Sequence, residues 1–158
     1  AFARGDATEG GVEEADALTL AGELVEAARR GGGDVALRPV EGRAQPVRIR
    51  PEAVRRALEN LIGNGLRHGS RVELSLRFTP HALIFAVEDD GPGIAEDRRD
   101  EALRPFTRLE AERDPNRGGG VGLGLSIAAD IARGHGGALS LGRSERLGGL
   151  KAEFSVAL

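Results

Sequence analysis

"PEAVRRALENLIGNGLRHG", residues 51–69, holds the choice on which the fold turns. Asn64-Gly65 is ordinarily a turn signal and would break the segment in two. Yet Val54, Leu58, Leu61, Ile62 and Leu66 recur at helical spacing, and Leu66 keeps the period beyond the Asn-Gly pair. The spacing predicts one continuous helix with Pro51 in its first turn, where a missing N–H costs nothing. At about 100° per residue, Asn60, Asn64 and Arg67 form a separate stripe, with Asn64 at the seam beside the apolar face. Asparagine is a poor helix former, so two of them lower helix stability slightly. They read either as solvated groups on a polar face or as neutral oxygen ligands for a hard cation. In the second reading Arg67, one turn on, meets a polyanion. Mg²⁺ keeps most of its waters and takes few protein ligands, so one asparagine carbonyl is enough.

Working outward, "RVELSLRF" (71–78) and "ALIFAVED" (82–89) alternate as strands joined by Thr79-Pro80-His81, a hairpin. Upstream, "DALTLAGELVEAARRGGG" (16–33) has Leu20, Leu24, Val25 and Ala28 at helical spacing and a glycine stop. "DVALRPV" and "PVRIR" read as short strands between the two helices. Downstream, "EDRRDEAL" (96–103) is a short helix, residues 104–120 a loop, and "VGLGLSIAADIARGHGG" (121–137) a helix closed by glycines. "ALSLGRS" and "GLKAEFSVAL" make a last strand pair. Helices alternating with antiparallel hairpins predict an α/β two-layer sandwich, with a mixed, mostly antiparallel sheet of about five strands on three helices. Residues 1–15 are polar and read as a tail or linker remnant, leaving residues 16–158 as one domain.

Composition narrows the chemistry. Cysteine is absent, which excludes disulfides and thiolate metal sites. The histidines, His68, His81 and His135, lie far apart without ligand spacing. A net charge of −3 offers no polycation for nucleic acid. No apolar run reaches membrane-spanning length, so no membrane contact is expected of this segment. Phe is the only aromatic, so the core must be aliphatic.

Two further stretches carry candidate chemistry. In "FAVEDDGPGIAED" (85–97) a strand ends in Asp89-Asp90-Gly91-Pro92-Gly93-Ile94. A carboxylate there can accept from an exocyclic amine, and Gly91 and Gly93 let a flat ring approach the backbone. An ordinary Asp-Gly/Pro-Gly turn is the plainer reading. "GGGVGLGLS" (118–126) exposes backbone N–H groups ahead of a helix, which suits phosphate. It is not the dinucleotide fingerprint, because Leu125 or Ile127 stands where the last glycine belongs. Nor is it a P-loop, because the only lysine, Lys151, follows Leu150. Between them "RPFTRLEAERDPNR" (104–117) sets Phe106 among arginines, either as lid charges or as a solvated loop.

Together "ENLIGNGLRHG", "VEDDGPGI", "RPFTRLE" and "GGGVGLGLSIAADIARGHGG" resemble the ATP-binding catalytic domain of bacterial sensor histidine kinases, closest to the osmosensor type. That family belongs to the GHKL superfamily and has the Bergerat-type ATP-binding fold. The resemblance implies ATP and Mg²⁺ as cofactors. It implies that Asp89 binds the adenine amino group, in a pocket shaped by Gly91, Gly93 and Ile94. Asn64 corresponds to the Mg²⁺ ligand, with Asn60 one turn before it. Arg67 corresponds to a phosphate-binding basic residue, and His68 stands where an aromatic is common. Phe106 corresponds to the F-box phenylalanine. Gly120, Val121, Gly122, Leu123, Gly124 and Leu125 correspond to the second glycine box. Gly65, where alanine is usual, and Gly63 depart from the pattern.

The resemblance also implies a reaction. ATP-hydrolysing members of the superfamily and the anti-sigma serine kinases carry Glu four residues before the metal Asn. Here that position is Asn60, which cannot take a proton, and Glu59 points about 100° away. ATP is therefore expected to be held, not efficiently hydrolysed, and its γ-phosphate passed to a histidine on a separate dimerisation domain. None of the three histidines has the acceptor's acidic neighbour, so this segment alone is not expected to phosphorylate itself. The implied partners are that dimerisation domain and a downstream response regulator. The need for ATP implies a cytoplasmic location, with a parent protein that the inner membrane can anchor. The alternatives are a related ATPase or serine kinase, and a degenerate docking module without nucleotide.

Overall fold

The computed structural model describes residues 11–104 and 121–158. In chain order the elements are β1 (Glu13–Ala15), α1 (Ala17–Arg30), β2 (Val35–Leu37), β3 (Val47–Ile49), α2 (Pro51–His68), β4 (Val72–Phe78) and β5 (Ala82–Asp89). A 3-10 turn (Glu96–Arg98) leads into α3 (Arg99–Leu103), then α4 (Val121–Gly134), β6 (Leu139–Arg143) and β7 (Leu150–Ala157). The main sheet has five strands in the order β2-β4-β5-β7-β6, and β1 and β3 form a separate two-stranded ribbon. Only the β2–β4 pair is parallel; the other three pairs of the main sheet are antiparallel.

Register explains the layering. Leu37, Leu74, Val87, Ala152 and Leu141 lie side by side across the sheet. Side chains alternate between faces along a strand. On the same face Leu83, Phe85, Phe154 and Val156 are buried, in one cluster with Leu20 and Leu24 of α1, Leu58 and Leu61 of α2, and Ala128 and Ile131 of α4. The aromatic share is small but central: Phe85 opposes Phe154 in register, edge-on, with ring centroids 6.0 Å apart. The next row, Glu73, Glu88, Lys151 and Gly142, belongs to the opposite face. The structure is thus the α/β sandwich that the sequence predicts.

Local chemistry sets the helix ends. Asp16 caps α1, its Oδ1 accepting from the N–H groups of Leu18 (3.0 Å) and Thr19 (3.2 Å). α2 runs unbroken from Pro51 through Asn64-Gly65 to His68, so the hydrophobic period prevails over the turn signal. At its start, His135 Nε2 accepts the Arg50 N–H at 3.0 Å while Nδ1 lies 2.9 Å from Ile131 O. The end of α4 is thereby fastened to the beginning of α2.

The chain departs from expectation at its edges. Glu13–Ala15, read as tail, pairs antiparallel with Val47–Ile49. Three residues with two charges carry no periodicity, and only the partner strand makes them a strand. The expected helix at 96–103 divides into the 3-10 turn and α3. Residues 1–10, and all of the expected loop at 104–120 except Arg104, lie outside the described residues.

Candidate functional site

Asp89 closes β5. It occupies the row of Val35 and Val72, on the helix-covered face, and is 3% exposed. Its Oδ1 accepts from the N–H groups of Gly91 (2.9 Å) and Leu150 (3.1 Å). Its carbonyl accepts the Gly149 N–H at 3.0 Å. One carboxylate oxygen is thus fixed by backbone donors. The other, Oδ2, takes part in neither bond, and a carboxylate oxygen can accept from a further donor.

The backbone around this carboxylate is close-packed. A methyl group on Gly149 would overlap Asp89 Oδ1 and its carbonyl, and would stand 2.6 Å from Gly91 N. One on Gly91 would stand 2.7 Å from His68 O, and one on Gly69 2.9 Å from Gly91 N. Gly93 adopts φ 73°, a left-handed conformation that glycine enters without strain, and lies against Gly149. Ile94 is half-buried and packs on the core beneath the loop.

α2 supplies the second set. Asn64 is 5% exposed, and its Oδ1 is buried with no hydrogen-bond partner among the described residues. Leaving a buried amide oxygen unpaired costs on the order of 1–3 kcal/mol, so a cation or hydrogen-bond donor placed there would be favoured. The donor type suits a hard cation, and the residues present therefore fit Mg²⁺. The next residue, Gly65, faces Asp89: a methyl group there would lie 3.5 Å from Oδ2. Asn60 is half-buried and Glu59 exposed. Arg67 and His68 are exposed in the last turn of α2, and Arg67 has no ion pair among the described residues.

The second glycine box is only partly described. Val121, Gly122 and Leu123 open α4. Gly124 faces α2: a methyl group there would meet the Asn60 Cβ at an ordinary 3.8 Å, so packing against the described residues does not demand glycine. Leu125 is 1% exposed and its side chain belongs to the core. Phe106 and Gly120 lie outside the described residues. The structure therefore brings Asp89, Gly91 and Gly93 together with Gly65 and the end of α2, places Asn64 one residue from that contact, and sets Asn60 beside Gly124.

Several neighbours were not legible as site residues: Gly69, Asp90, Gly149 and Leu150. Asp90 Oδ1 accepts from the N–H groups of Ser70 (2.7 Å) and Arg71 (3.0 Å), and Oδ2 from the Ser70 hydroxyl (2.8 Å). These bonds, led by the one from Arg71, hold its carboxyl below the usual range. The doubled aspartate was the available signal. On the opposite sheet face a hollow of about 600 Å³ is bordered by Arg38, Arg77, Glu88, Arg146 and Lys151. Glu88 belongs to that face and accepts from Ser144 Oγ at 2.9 Å, so the sheet separates it from Asp89.

Among the described residues no helix is long and apolar enough to cross a membrane. The profile of the histidine kinase-, DNA gyrase B- and HSP90-like ATPases matches residues 49–158. The sensor histidine kinase GtrS of Pseudomonas aeruginosa is 44% identical over 118 residues, which is 74% of this chain and 24% of GtrS. The sensor protein RstB of Escherichia coli is 45% identical over 104 residues, 65% of this chain and 24% of RstB. The chain thus spans about a quarter of the length of these curated relatives. Among solved structures, the ATP-binding domain of PrrB from Mycobacterium tuberculosis matches with a TM-score of 0.75 at 27% identity, covering 92% of this chain and 96% of that one. The histidine kinase domain of the E. coli osmosensor EnvZ matches with a TM-score of 0.66 at 32% identity, covering 93% and 88%. A carboxylate at a strand end, a buried amide oxygen on the neighbouring helix and a profile match across both lead to one conclusion: the chain belongs to the histidine kinase-, DNA gyrase B- and HSP90-like ATPase family.

Proposed function

We propose that this chain is the nucleotide-binding kinase domain of a two-component sensor histidine kinase. It holds ATP–Mg²⁺ and presents the γ-phosphate to a histidine on a separate dimerisation domain. The observation that carries the reading is the buried, unpartnered Asn64 Oδ1, one residue from the place where α2 meets Asp89. In this reading Asp89 Oδ2 accepts from the adenine amino group, while Gly91 and Leu150 hold the other oxygen in place. Asn64 holds the cation, and Arg67 meets phosphate oxygens. Phe106 and the second glycine box serve the phosphate end. Bound Mg²⁺ supplies charge neutralisation at the triphosphate. The proposed partners are the dimerisation domain and a response regulator, and the proposed location is the cytoplasm, where ATP is.

Two observations favour transfer to a separate histidine over hydrolysis or phosphorylation of His135. Asn60 stands half-buried where a hydrolytic relative carries its base, and Glu59 is exposed. His135 has both ring nitrogens engaged, with Arg50 N–H and Ile131 O. Incubation with γ-labelled ATP tests the reading. The chain alone should bind the label without forming phosphohistidine, and adding the dimerisation domain in trans should produce it. Rapid steady-state release of phosphate by the isolated chain, lost in Asn60→Ala, would instead favour an ATPase.

A further inference from the structure

Three successive carboxylates end β5, and each has a different destination. Glu88 faces the side of the sheet away from the helices and Asp89 the helix-covered side. Asp90 leaves the sheet and grips the segment after α2 through three hydrogen bonds, from Ser70 N, Ser70 Oγ and Arg71 N. The grip is possible because two glycines face each other across it. A methyl group on Gly69 would stand 2.5 Å from Asp90 Oδ1, and one on Gly91 2.7 Å from His68 O. The end of the Asn64 helix and the start of the Asp89 loop are therefore joined backbone to backbone.

We propose that Asp90 is a positioning residue, a strap that fixes the spacing between Asn64 and Asp89 so that both ends of one nucleotide are held in register. The idea rests on the nucleotide-binding reading above. Asp89 keeps its own support from Gly91 and Leu150 when the strap is cut. Asn64 has no such tie at its oxygen, and its place relative to Asp89 follows from where α2 ends. Ligand contacts tolerate about 0.5 Å of misplacement, and Mg²⁺ demands near-ideal octahedral geometry. Cutting the strap therefore weakens the metal end selectively.

The test is calorimetric titration of the chain with ATP–Mg²⁺ and with ADP in the presence of a chelator, beside thermal melts. Asp90→Ala should weaken ATP–Mg²⁺ about tenfold and metal-free ADP less than threefold. Asp90→Asn, which keeps an oxygen for the two backbone donors, should recover most of the difference. Equal losses for both ligands would mean that Asp90 acts only on the fold, and unchanged affinities would remove any role; either overturns the strap. The nucleotide reading fails differently: the wild-type chain would then bind neither ligand.

Discussion

Gly65 of α2 and Asp89 of β5 lie so close that a methyl group on the glycine would stand 3.4 Å from Asp89 Cβ and 2.8 Å from Val72 Cγ2. Alanine at Gly65 would gain helix propensity and meet Asp89 at ordinary contact distance, but crowd a stiff valine, Val72. Overpacking of this kind costs about 1–3 kcal/mol, against about 1 kcal/mol gained from the helix. Gly65→Ala should therefore lower the melting temperature or leave it unchanged, with nucleotide affinity in the folded fraction retained, because its contact with Oδ2 would be an ordinary 3.5 Å.

Gly63, two residues earlier, has no described atom within 4 Å of where a methyl group would go. Gly63→Ala should stabilise the domain by about 1 kcal/mol, raising the melting temperature by about 2–4 °C with nucleotide affinity unchanged. A lowered melting temperature would mean that the helix needs this glycine for a reason that the described contacts do not supply.

Gly149 is the tightest glycine around Asp89 Oδ1. Because a methyl group would overlap both oxygens of Asp89 that accept from the backbone, Gly149→Ala should displace the carboxylate. Titration should find ATP binding weakened at least about tenfold, the factor that corresponds to about 1.4 kcal/mol.

His135 tests the opposite expectation. His135→Ala removes the acceptor of the Arg50 N–H and the contact with Ile131 O, and should cost about 1–2 kcal/mol in denaturant unfolding. It lies away from Asp89 and Asn64, so nucleotide affinity in the folded fraction should be retained.

Glu73 governs part of the acid behaviour. It is 4% exposed and bonded by Arg146 Nε at 3.0 Å, with Arg71 Nε at 3.4 Å. The Arg146 hydrogen bond chiefly holds its pKa below the ordinary value, against the upward push of burial. A depressed folded-state pKa gives stability that is present above the unfolded value, about 4.3, and is lost as pH falls through the lower folded one. Glu73→Gln should lower stability at pH 7 and flatten the acid limb of the unfolding profile below about pH 4. An acid limb identical to wild type would remove Glu73 from the account.

Much of this was legible in the residues because burial and period agree. Leu58, Leu61 and Ile62 announced α2, and Leu66 carried it past Asn64-Gly65. Asp89 could be placed at a strand end because "ALIFAVED" is bounded by turn residues, and its strand is Ala82–Asp89. What stayed hidden depends on partners distant in sequence. Glu13–Ala15 is a strand only because β3 lies beside it. Gly149 and Leu150 support Asp89 from about 60 residues away, a proximity created by the β5–β7 pairing and not by any local pattern. The buried Asn64 oxygen likewise needed coordinates, since a helical wheel places the residue at a seam without saying which side covers it.

Calorimetric titration of ATP with and without Mg²⁺, for the wild-type chain, Asp89→Asn and Asn64→Ala, tests the central claim most directly. The account predicts that Asp89→Asn weakens binding at least about tenfold under both conditions, and that Asn64→Ala abolishes the gain from Mg²⁺ while leaving metal-free binding nearly intact. Wild type and both variants binding alike, with the same response to Mg²⁺, would contradict it.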